Sequence, residues 1–129
     1  MSDPDFSLEL ELPVSPERVY AAWLDPAQHA AMTGAASSAD GDLFTAWDGY
    51  IQGEYLERTP ARRISMYWRT LDFADDAHDA RVVVELTATP AGTRLVLTQY
   101  DTPRDQGDRY VSGWQDFYFT PMAEFFARG

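Results

Sequence analysis

The chain has 129 residues and no cysteine, which excludes disulfides and thiolate metal sites. A chain of this length buries about two-thirds of the surface its unfolded form exposes, so a core forms without staples. The formal net charge of −11 repels phosphate backbones and argues against nucleic acid as a partner. The polar opening Met1-Ser2-Asp3-Pro4-Asp5 lacks a signal-peptide pattern. No apolar stretch approaches the roughly 20 residues that span a bilayer. The expectation is therefore one cytoplasmic domain over residues 1–129 with no membrane span.

In chain order, Phe6, Leu8, Leu10 and Leu12 alternate with Ser7, Glu9 and Glu11, which predicts a strand with one wet face. Ser15 then Pro16 is a cap followed by a proline at the first helical position, and Val19, Tyr20, Trp23 and Leu24 fall at helical spacing. Asp25-Pro26 repeats the signal, so a second short helix is expected from Pro26 to Met32, stopped at Gly34. Residues Ala35 to Asp42 read as loop. Strands come next at Leu43–Trp47 and Tyr50–Thr59, with Asp48-Gly49 as the hairpin turn between them and Gly53 marking a bulge or bend. Arg63–Leu71, Ala80–Ala88 and Thr93–Tyr100 complete the strands, separated by the acidic loop Asp72–Asp79 and the turn Pro90-Ala91-Gly92. Short connections make consecutive strands antiparallel.

A final helix is expected from Asp108 to Arg128. Tyr110, Trp114, Phe117, Pro121 and Phe125 form one stripe, and Val111, Tyr118, Met122 and Phe126 form a second beside it. So wide an apolar face predicts a deeply seated helix. Pro121 inside it removes a hydrogen bond and predicts a kink or split.

The chemistry-bearing residues are few. His29 and His78 are the only histidines and have no metal-ligand spacing, so no metal and no cofactor are expected. Asp72, Asp75, Asp76 and Asp79 lack the spacing of a calcium loop and read as solvated. Neither a nucleophile elbow nor a phosphate loop occurs, and Glu57 reads as an ion-pair partner of Arg63 or Arg69. Catalysis is therefore not the favoured reading. Trp47, Tyr55, Met66, Trp68, Gln99, Trp114, Phe117 and Tyr118 are the candidate lining of a common interior, with Gln99 a polar residue on the Leu95/Leu97 face. Apolar walls with a few polar groups are what a small-molecule site requires; filled core is the alternative.

The run Trp47-Asp48-Gly49-Tyr50-Ile51-Gln52-Gly53-Glu54-Tyr55-Leu56-Glu57 is followed by Pro60-Ala61-Arg62-Arg63-Ile64 and Tyr67-Trp68-Arg69. With Pro13-Val14-Ser15-Pro16-Glu17-Arg18-Val19-Tyr20, Trp23, Pro26, Gly92-Thr93-Arg94-Leu95 and Gly113-Trp114, this ordered set resembles the family of homologues of the activator of the heat-shock protein 90 ATPase, in the START-like (SRPBCC) superfamily. The resemblance implies an α+β helix-grip fold: a curved antiparallel sheet around a long C-terminal helix, with two short helices after the first strand. It also implies a cavity between sheet and helix. Relatives often carry His in a Leu-x-His setting in the last strand; Leu97-Thr98-Gln99 departs from it and removes an acid/base group. The first function expected is noncatalytic binding of a small hydrophobic or aromatic ligand. The alternatives are a chaperone-partner or stress-response module, and an enzyme of cyclase or hydrolase type.

Overall fold

The computed structural model describes residues 3–128, so Met1 and Ser2 of the polar opening lie outside the described residues. Seven strands form one antiparallel sheet: β1 (Phe6–Leu12), β2 (Ser38–Asp40), β3 (Leu43–Ala46), β4 (Ile51–Thr59), β5 (Arg63–Thr70), β6 (Ala80–Thr89) and β7 (Gly92–Tyr100). Their spatial order is β1-β7-β6-β5-β4-β3-β2. Every neighbouring pair except β1-β7 is consecutive in sequence, and the chain after β1 is spent on α1 (Pro16–Leu24) and α2 (Pro26–Thr33). The C-terminal helix comprises α3 (Gly107–Trp114), a π-helical turn (Gln115–Phe119) and α4 (Thr120–Ala127). This is the helix-grip arrangement.

Alternation along the strands places the core. In register across the inner face lie Leu8, Leu97, Val84 and Ile64, and beside them Phe6, Gln99, Val82, Met66 and Tyr55. Ile64, Val82, Val84, Leu95 and Leu97 are fully buried there. The two short helices start as their sequences predict: Ser15 accepts from the Arg18 amide and Asp25 from the Ala27 amide, each just before a proline. Gly34 ends α2 in the left-handed conformation at φ 86°.

Three expectations are corrected. The loop expected over Ala35–Asp42 contains β2, a three-residue edge strand too short and polar to show a periodic pattern, paired through Ser38↔Thr45 and Asp40↔Leu43. The turn after β3 falls at Asp48-Gly49 as expected: the Tyr50 amide donates to the Trp47 carbonyl at 3.0 Å across Asp48 (φ 58°) and Gly49 (φ 89°), and an overlapping turn closes from the Gly49 amide to the Ala46 carbonyl at 3.2 Å. Positive φ at both central residues is the hairpin type whose twist matches the flanking strands. The bulge in β4 falls between Tyr55 and Glu57, not at Gly53.

Gly53 answers a different need. Across the inner face it sits between Phe44 and Trp68, and a Cβ on it would meet the Tyr67 carbonyl oxygen at 2.2 Å and the Phe44 ring at 2.4 Å. The bare backbone lets the Phe44 ring lie over it, where that ring also stacks on Tyr55 at 4.5 Å. The third correction concerns the start of the C-terminal helix, which begins at Gly107 with no side-chain cap instead of at an Asp108 cap. The interruption expected from Pro121 is present, as the π turn between α3 and α4. The missing Pro121 N–H and the clash of its ring with the preceding turn are absorbed by widening that turn: the Thr120 amide reaches back five residues to the Gln115 carbonyl.

Gly53→Ala has no space for its methyl and is expected to destabilise the fold by about 2–4 kcal/mol, the range of core overpacking plus lost ring contacts. Urea unfolding monitored by tryptophan fluorescence measures this; a change below ~0.5 kcal/mol contradicts the close approach.

Candidate functional site: an aromatic cavity under the C-terminal helix

The inner face of the sheet and the C-terminal helix do not close completely. A cavity of about 260 Å³ remains between the β3–β4 turn, β5 and the helix. Trp47, Tyr50 and Ile51 line it from the turn and the start of β4, and Trp68 from β5. Tyr110, Gly113, Trp114, Phe117 and Tyr118 line it from the helix. Seven of these nine residues are aromatic and none is charged.

Trp114 is the central wall. It is 3% exposed, tilted against Trp68 at 5.4 Å and Tyr118 at 4.7 Å, and stacked on Trp23 at 6.4 Å. Its indole Nε1 donates to Gln99 Oε1 at 2.8 Å, and Gln99 Nε2 donates to Thr102 Oγ1 at 2.9 Å. A buried amide left unmatched would carry a desolvation cost of about 1–3 kcal/mol, so the bond fixes the ring's orientation. Gln99 is therefore behind the wall, not in the cavity.

Tyr118 is held from behind by a histidine for which no role was expected. His29 of α2 is buried, with Nδ1 2.8 Å from the Trp23 carbonyl oxygen and Nε2 2.8 Å from the Tyr118 hydroxyl. A carbonyl only accepts, so Nδ1 carries the proton. Nε2 is then an acceptor and Tyr118 is the donor. Burial pushes the His29 pKa below 6.5, opposed only by that backbone hydrogen bond, and burial pushes the Tyr118 hydroxyl far above its usual 10. The pair is neutral and positional, with no proton poised for transfer at neutral pH. Nothing in the spacing of a lone His29 announces this contact, because its partner is 89 residues away.

The other wall hydroxyls are also committed. Tyr110 donates to Gln106 Oε1 at 2.6 Å and meets Thr70 Oγ1 at 2.7 Å. Tyr50 donates to Asp72, and burial raises its pKa to about 12, helped by that hydrogen bond. Asp72 also pairs with Arg109 at 3.0 Å, which ties the acidic loop to the helix.

Of the expected lining, Trp47, Trp68, Trp114, Phe117 and Tyr118 border the cavity. Tyr55, Met66 and Gln99 do not: Tyr55 stacks on Phe44, Met66 is fully buried between strands, and Gln99 serves Trp114. Tyr50, Ile51, Tyr110 and Gly113 were not expected; Tyr110 stands one turn before Trp114, a helical spacing that could have found it. Phe117, read as a core stripe residue, is 55% exposed. The π turn displaces it to the rim, edge-on to Trp47 at 5.3 Å. Glu57 pairs with Arg63 at 3.3 Å on the surface. Among the described residues no cluster of three or more His, Asp or Glu could hold a metal, and no helix is long and apolar enough to cross a membrane.

Residues 13–127 match the family model described as Activator of Hsp90 ATPase homolog 1-like protein. The chain belongs to this family. The activator of 90 kDa heat shock protein ATPase homolog 1 of Homo sapiens is 26% identical over 118 residues, and the match takes in 89% of this chain but 35% of that protein. This chain thus spans about a third of the length of the curated relatives it matches. Among solved structures, an HSP90 activator from Plasmodium falciparum superposes with a TM-score of 0.76 at 23% identity, covering 89% of each chain. A protein from Chromobacterium violaceum gives 0.74 at 27% identity, covering 94% of this chain and 96% of that one. The START-like fold read from the ordered motifs is the fold observed.

Because His29 is held neutral, the unfolded chain takes up a proton below pH 6.5 that the folded chain refuses. Stability therefore falls on acidification from pH 6.5, by at most about 1.4 kcal/mol per pH unit for one proton. Unfolding free energies of the wild type and His29→Gln across pH 7 to 5 check this: the variant is expected to lose the slope, whereas His78→Gln keeps it. Equal slopes in all three would rule out the assignment to His29.

Proposed function

We propose that this chain is a noncatalytic binding module of the activator of Hsp90 ATPase family that acts by contact with a chaperone of the Hsp90 class. The observation that carries this reading is the extent of the family match, 13–127, with a relative of similar length whose name is HSP90 activator. The larger curated relatives carry the same designation in their names. The fold by itself assigns no function. The noncatalytic part of the reading draws on the site: its His and Tyr hydroxyls are locked in internal hydrogen bonds, and it has no charged group to move a proton.

The test is direct. Purified chain added to the Hsp90-class chaperone of its own cell is expected to co-elute with it and to raise its ATP hydrolysis rate severalfold. Absence of a complex at tens of micromolar, together with an unchanged rate, would overturn the reading.

A second reading is favoured by the cavity: the domain binds a small hydrophobic or aromatic molecule. An open space of about 260 Å³ walled by aromatic rings is within reach of a ligand of one or two rings. The two readings are compatible, since the cavity lies inside the grip and a chaperone would meet the outside. Thermal-shift screening against neutral aromatics and aliphatic alcohols is expected to find stabilisers of about 1–3 kcal/mol at saturating concentrations. A screen in which neither class raises the melting temperature would remove this second reading.

A further inference from the structure

Three features that each cost stability meet at the same cavity. Gly113 lies inside α3, where glycine is unfavourable relative to alanine, yet its φ is not positive and a Cβ built on it meets nothing within 4 Å. Neither backbone conformation nor close packing requires it; what its missing side chain leaves is room in the cavity it lines. The π turn next to it, which also absorbs Pro121, is a rare conformation frequent at functional sites, and it carries Phe117 to the rim. Trp47 sits in the left-handed region at φ 52°, an arrangement bulky residues avoid. Its indole Nε1 is buried and has no hydrogen-bond partner among the described residues.

The remaining wall groups narrow the chemistry. The hydroxyls of Tyr50, Tyr110 and Tyr118 and the Trp114 indole N–H are all used internally, and no cation or carboxylate lines the space. A carboxylate or ammonium ligand would be buried without a counter-charge, and a polyol without partners. Aromatic faces and an unmatched donor remain.

Resting on the cavity reading above, we propose that the Gly113 slot takes an uncharged planar ring system bearing one hydrogen-bond acceptor, which the Trp47 indole N–H receives. The ring slides over the bare backbone of Gly113 against Trp114 and Trp68. Phe117, already exposed at the rim, gives way, and the acceptor meets Trp47 Nε1. The tight turn that carries Trp47 is pinned by the Asp48 amide to the Ala36 carbonyl at 3.0 Å and by Asp48 Oδ1 to the Ala36 amide at 3.0 Å, so the donor is held in place.

The experiment uses four probes by calorimetry: 2-acetylnaphthalene, naphthalene, 2-naphthoate and dodecanol. The neutral ketone is expected to bind about fivefold tighter than naphthalene, the worth of one neutral hydrogen bond. It should move the Trp47 indole proton downfield in a nitrogen–proton correlation spectrum, as a new hydrogen bond does, beyond the ring-current shift that naphthalene causes. The carboxylate should bind weakest. Trp47→Phe should erase the fivefold preference by weakening the ketone more than naphthalene, whereas Gly113→Leu should weaken both neutral ring probes at least tenfold. If Gly113→Leu does not fold, Gly113→Ala gives the same readout at smaller amplitude in a stabler helix. Equal affinity for ketone and hydrocarbon, unaffected by Trp47→Phe, overturns the assignment of the donor. Binding of dodecanol without binding of either neutral ring compound overturns the planar class but leaves the cavity reading standing. No binding of any probe overturns the cavity reading itself.

Discussion

The hydrogen bond from Trp114 Nε1 to Gln99 Oε1 is the point on which the site depends. It joins the last strand to the C-terminal helix at full burial, where an unmatched donor or acceptor is costly. With that bond made, the Trp114 ring can lie only one way. Trp23, Trp68 and Tyr118 then take their places around it. A nonpolar residue at Gln99 would leave the indole free to rotate into the space it now borders. A histidine there would bring a titratable group to the same spot. Gln99 is a neutral amide that donates and accepts at once, and it uses both capacities.

A second tie works from the opposite side. His29 holds the Tyr118 hydroxyl and the end of α1 through Trp23, so the two short helices are coupled to the helix the sheet grips. The packing of α2 against α4 continues that seam. Both ties bury a polar pair whose members come from distant parts of the chain. They specify how the layers meet more than they add to stability, since a neutral hydrogen bond is worth only about 1 kcal/mol net.

Much of the fold was legible because its signals are local and periodic. Alternation in Phe6–Leu12 and from Ala80 onward placed strands and their wet faces, and the two cap-then-proline pairs placed α1 and α2. The ordered family motifs supplied the topology, which periodicity alone leaves open. The site was half legible. Trp68, Trp114 and Tyr118 were found because strand parity and helix spacing aim them inward. Tyr55 and Met66 share that parity, yet lie where the sheet and its neighbours close the gap. Gly113 was invisible, for a missing side chain leaves no mark in a hydrophobic pattern. The rim position of Phe117 was hidden too: a π turn shifts the helical register by one residue, and a 3.6-residue period cannot see it. The His29–Tyr118 contact spans most of the chain and has no local signature.

The same π turn divides the C-terminal helix into two pieces with separate tasks. A wide turn is how an α-helix absorbs one additional residue without losing its axis. On its N-terminal side, Tyr110, Gly113 and Trp114 face the cavity; on its C-terminal side, Met122 and Phe126 are sealed against α2 and β1. The π turn resets the angular register between them, so the cavity-facing and core-sealing side chains need not lie on one straight stripe, and a single helix presents two differently aimed faces to the sheet.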